Sequence, residues 1–103
     1  MVPNSSEAQP FTRAKRPSTQ AWQTQLSKCE AKLERDRENA HLWHQRSYCL
    51  AQLQHYPEAL TSYEETLDLE SENPKIWCNY ASTLAAAGDL KKAVNAYDRA
   101  LDL

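Results

Sequence analysis

A chain of 103 residues is long enough for one small domain with one thin core. Its single glycine, Gly88, and single phenylalanine, Phe11, speak against sheets and tight hairpins and for helices. A net charge of −2 gives no reason to expect nucleic acid, no apolar run nears the roughly 20 residues of a membrane span, and the opening residues lack a secretory apolar stretch.

Residues 1–20 hold Pro3, Pro10 and Pro17 among Ser, Thr, Gln and basic residues, with a net charge of +2. Prolines at that spacing leave no room for a stable helix, so this segment is expected to be a disordered tail. Its FTRAKRPS run is expected to solubilise, with a basophilic phosphorylation site at Ser18 or a weak contact with an anionic surface as the alternatives.

Five helices are predicted from there on. The first spans Ala21 to about Arg35, with Ser18 or Thr19 near its cap and Trp22, Leu26, Cys29 and Leu33 in one stripe. The second follows Asn39, a good N-cap, and runs to about Gln54. The third starts near Pro57, whose missing N–H suits a first helical turn, and ends near Leu69. The fourth starts with Asn73 and Pro74 and ends at Gly88, which can take the left-handed conformation of a helix stop. The fifth starts beside Asp89 and reaches Leu103.

The last four helices repeat one another. Residues 40–73 and 74–103 align at a spacing of 34, set by Trp43 and Trp77. At that spacing Ser47 meets Ala81, Leu50 meets Leu84, Ala59 meets Ala93, Tyr63 meets Tyr97 and Leu67 meets Leu101. The small residues allow close helix crossings, and the tyrosines fill the gap to the next unit. The period also reaches back, since Trp22, Leu26, Leu33 and Asn39 precede Tyr56, Leu60, Leu67 and Asn73 by 34. The first helix is thus the second half of a repeat whose first half is missing. The domain is read as residues 21–39 (a half-repeat), 40–73 and 74–103 (two full repeats). Aligned aromatics and leucines at one fixed period mark a stacked array.

The residues that recur, W-x3-S-x2-L…Y-P-E-A-L-x2-Y-x3-L-x-L and W-x3-A-x2-L…A-V-x2-Y-x2-A-L-x-L, resemble the tetratricopeptide repeat. Arg46 stands where the family usually has leucine, Gln54 where it has glycine, and Thr66 where it has alanine. The resemblance implies an all-α fold of antiparallel helix-turn-helix units in a short right-handed solenoid. It also implies a protein or peptide partner held on the concave face. On this chain that face is His41, His44, Tyr48 and Gln52, then Lys75, Asn79 and Ser82. The spacing of the first four, on the side away from Trp43 and Leu50, agrees with one helix face. Tyr48 is the expected anchor, with Lys75 and Asn79 as polar contacts. Of the residues with which some members clamp a C-terminal carboxylate, only Asn79 is present, while His44 and Tyr48 replace a lysine and an asparagine; such a ligand is not expected.

No catalytic role, cofactor or metal is expected. Two histidines at i, i+3 share a helix face, but Cys49 is placed elsewhere on that helix and no Cys-x2-Cys unit exists. Cys29, Cys49 and Cys78 are expected as free thiols in a reducing, cytoplasmic setting. Residues 40–73 carry a net charge of −5, read as a solvated convex face that includes Glu64, with docking of a basic partner as the alternative. With no polar cap after Leu103, the face with Tyr97 and Leu101 is expected to be uncovered. That suggests a self-association surface, hence a possible homodimer, or a piece of a longer array.

Overall fold

The computed structural model describes residues 18–103. Most of the expected disordered tail, residues 1–17, lies outside the described residues. Five helices follow one another: α1 Thr19–Leu33, α2 Ala40–Gln52, α3 Tyr56–Leu69, α4 Pro74–Ala86 and α5 Leu90–Asp102. The first begins at Thr19 rather than Ala21, because Ser18 Oγ accepts from the Ala21 amide at 3.2 Å and starts the helix there.

Local chemistry sets the other starts in the same way. Asn39 Oδ1 accepts from the Leu42 amide at 3.2 Å, Asn73 Oδ1 from the Lys75 amide at 3.0 Å and Asp89 Oδ1 from the Lys92 amide at 3.2 Å. His55, before α3, makes no such bond, and Pro57 in the first turn serves instead. The stops of α2 and α4 are copies of each other. Gln54 and Gly88 both have positive φ, at 64° and 95°. After each, the next amide reaches back to a leucine carbonyl, His55 to Leu50 and Asp89 to Leu84, both at 2.9 Å.

Each helix packs on its neighbours in the chain, and α2 also meets α4 directly. The molecule measures 56 × 34 × 21 Å. Its least dimension is two helix diameters, so the fold is a two-layer all-α solenoid. The buried residues follow the period. Ala59, Ser47, Ser62, Thr66 and Ala81 are fully buried and let the backbones approach closely. Cys29 and Leu33 of α1 pack on Leu42 of α2, with Trp43 beside them. Tyr63 and Leu67 of α3 pack on Ile76 of α4, with Trp77 and Tyr80 beside them. Ala81 and Leu84 pack on Ala93 and Ala96 of α5. Buried hydroxyls close on their own helix: Ser47 donates to the Trp43 carbonyl at 2.8 Å and Thr66 to that of Ser62 at 2.9 Å.

Candidate functional site

The face made by α2 and α4 carries the expected site. A groove of about 280 Å³ lies between the two helices, with Tyr48, Gln52, Asn79 and Ser82 among its walls. A second, of about 320 Å³, lies between α1 and α2 and takes in His41, His44 and Tyr48. Six of the seven expected residues thus line one groove or the other, and Tyr48 belongs to both. It is 44% exposed, with its ring 5.6 Å from that of Trp22 in an edge-on arrangement. Lys75 lines neither groove.

His44 and Asn79 join the two units. With His44 neutral and protonated at Nδ1, Asn79 Nδ2 donates to His44 Nε2 at 3.2 Å. Burial, together with the nearby charges of His41 and Lys75, lowers the His44 pKa, so the ring stays neutral at pH 7. Behind His44 stands Tyr63, 1% exposed, its ring 5.9 Å from the imidazole. Tyr63 in turn stands 6.0 Å from Tyr80. Burial pushes the Tyr63 hydroxyl up to about 12, so it remains a neutral hydrogen-bonding group.

Sequence reasoning missed part of the walls. Trp22, expected in the apolar stripe of the first helix, and Tyr56, its counterpart 34 residues on, are half-buried and line the grooves. Their signal was available: they are 34 apart, and aromatics at one repeat position outside the buried set often face a ligand. Thr83 and Gln54 also line the first groove. Cys49 stands with His41 and His44 in the second groove, against the expectation that it lies elsewhere. Even so, among the described residues no three His, Cys, Asp or Glu side chains converge as metal ligands would. All three thiols are free; Cys29 and Cys49 are buried, and burial raises both pKa values. Among the described residues no helix is long and apolar enough to cross a membrane.

The side opposite the grooves differs in kind. Trp43, Arg46, Glu30 and Glu65 line a charged cleft there. Arg46 Nε is 3.0 Å from Glu30 Oε2, its guanidinium lies 5.9 Å over Trp43, and Nη1 donates to Ser62. Glu64, expected as a free convex charge, instead accepts from Tyr80 Oη at 3.0 Å.

Residues 74–103 match the tetratricopeptide repeat family. Among solved structures, MamA AMB-1 is similar in fold, with a TM-score of 0.76 at 19% identity over 82% of this chain. The match takes in 46% of MamA, so this chain spans less than half the length of that protein. No curated protein matches the chain. The likeness in fold extends across the stacked helices, each of which packs chiefly on its neighbours in the chain.

Proposed function

We propose that the chain is a protein-interaction module that holds an extended, uncharged peptide segment of a partner protein across α2 and α4. One observation carries this reading: two adjoining grooves share a half-exposed tyrosine, and the walls of the groove between α2 and α4 contain no charged side chain. Gln52, Asn79, Ser82 and Thr83 offer donors and acceptors to a main chain, and Tyr48 and Tyr56 offer aromatic area at low entropic cost. A strongly acidic or basic ligand would lose hydration there and gain no opposite charge.

The test is selection of peptides from a displayed random library on the 103-residue chain. Selected peptides are expected to be neutral. Tyr48→Ala is expected to weaken them by at least about 2 kcal/mol, as for a central aromatic anchor. Lys75→Glu should change binding by less than about 0.5 kcal/mol, because Lys75 lines no groove wall. Glu65→Lys, in the charged cleft on the other side, is the control. Peptides that survive Tyr48→Ala but are lost in Glu65→Lys would move the site to that cleft and end this reading.

A further inference from the structure

One interhelix contact is built twice in this molecule, and its receiving half is present a third time. Against α1, α2 lays Leu42 and Trp43 on Cys29 and Leu33, and Arg46 donates to Glu30 at 3.0 Å. Against α3, α4 lays Ile76 and Trp77 on Tyr63 and Leu67, and Tyr80 donates to Glu64 at 3.0 Å. Donors and acceptors are each 34 residues apart, so these are one contact in two copies. A further step of 34 from Tyr63, Glu64 and Leu67 reaches Tyr97, Asp98 and Leu101 of α5. Tyr63 is 1% exposed and Tyr97 is 42%; Leu67 is 8% exposed and Leu101 is 83%. With Leu90 and Val94, also exposed, they make an apolar stripe along α5 with a carboxylate beside it.

We propose that α5 docks an amphipathic helix of a partner protein, built on the pattern that α2 and α4 share. That helix carries an aliphatic residue followed at once by an aromatic, and three residues after the aromatic an arginine or tyrosine that donates to Asp98. Among the described residues, a second copy of this chain has no such helix to spare: α2 is covered by α1 and α3, and α4 by α3 and α5. The stripe lies apart from the grooves that hold Tyr48, so this partner and the peptide of the proposed function are separate ligands.

The probe is a labelled synthetic peptide with the sequence of residues 73–87 and Cys78→Ser, titrated with the whole chain by fluorescence anisotropy. Saturable binding is expected, unchanged by Tyr48→Ala and weakened at least about tenfold by Tyr97→Lys. Asp98→Ala is expected to weaken it about threefold to tenfold, and to have no effect on a second peptide that also carries Tyr80→Phe. Tyr97 and Asp98 are both exposed, so the variants are expected to fold, which circular dichroism checks. No binding, or binding indifferent to Tyr97→Lys, overturns the proposal. Equal losses with both peptides remove the role of Asp98 and with it the stated pattern. Sedimentation that finds a wild-type dimer, dissociated by Tyr97→Lys, makes the occupant a second copy and overturns it too.

Discussion

Gln54 and Gly88 perform one task with unequal means. Both end the first helix of a repeat in the left-handed region, where a side chain with a Cβ costs about 1–2 kcal/mol and glycine does not. Gln54→Gly relieves that strain but frees the unfolded chain, so a net gain of about 0.5–1 kcal/mol is expected in urea unfolding. Gly88→Ala should cost about 1 kcal/mol. A Cβ there would meet no atom within 4 Å, so the loss is one of backbone strain and not of collision. The substitution of glycine by Gln54 was legible from the repeat alignment; its φ was not, because a sequence alone does not say whether a helix stop moves or strains. Arg46 was illegible for a related reason. At a leucine position it appeared only as a departure, whereas Glu30, Ser62 and the Trp43 ring together give its head and stem partners.

At the scale of helices, the period foresaw which faces would be buried and missed what the tryptophans do. Each indole is half-buried and donates backwards, Trp43 Nε1 to the Arg37 carbonyl at 2.7 Å and Trp77 Nε1 to that of Ser71 at 2.8 Å. They pin the preceding turn to the helix as well as filling a gap. Partial burial lowers the expected loss for Trp77→Ala from the 3–5 kcal/mol of a full core aromatic to about 2–3 kcal/mol. Trp77→Phe, which keeps a ring and drops the donor, should lose about 1 kcal/mol. Equal midpoints for Trp77→Phe and wild type in urea would show that the pinning bond contributes nothing. The positions of the helices were plain because caps, prolines and a 34-residue period agreed. The grooves were less so, since which half-buried aromatic faces a cleft depends on how two helices splay, and spacing along one helix does not contain that.

For the molecule as a whole, stability is carried by nearest neighbours, with Tyr63 at the junction of α2, α3 and α4. Burial raises its hydroxyl from an ordinary 10 to about 12. The folded form thus holds the proton more tightly than the unfolded chain. The resulting stability is complete below pH 10 and is lost as pH rises towards 12, by at most about 2–3 kcal/mol. Tyr80, raised to about 12 by burial and by Glu64, moves in the same direction. Helicity followed against pH should therefore fall within that window, and Tyr63→Phe should fall later than wild type. An alkaline midpoint unmoved by Tyr63→Phe would place the sensitive group elsewhere.

The edge-on meeting of Trp22 and Tyr48 has an optical consequence. Trp43 and Trp77 are fixed to turn carbonyls and line neither groove, whereas Trp22 stands in the groove wall against the ring most exposed to a ligand. A segment that settles on Tyr48 would strip water from one indole of three. Its emission would shift to the blue while the other two supplied a constant background, so the chain carries an intrinsic fluorophore that would report occupancy of the proposed binding face.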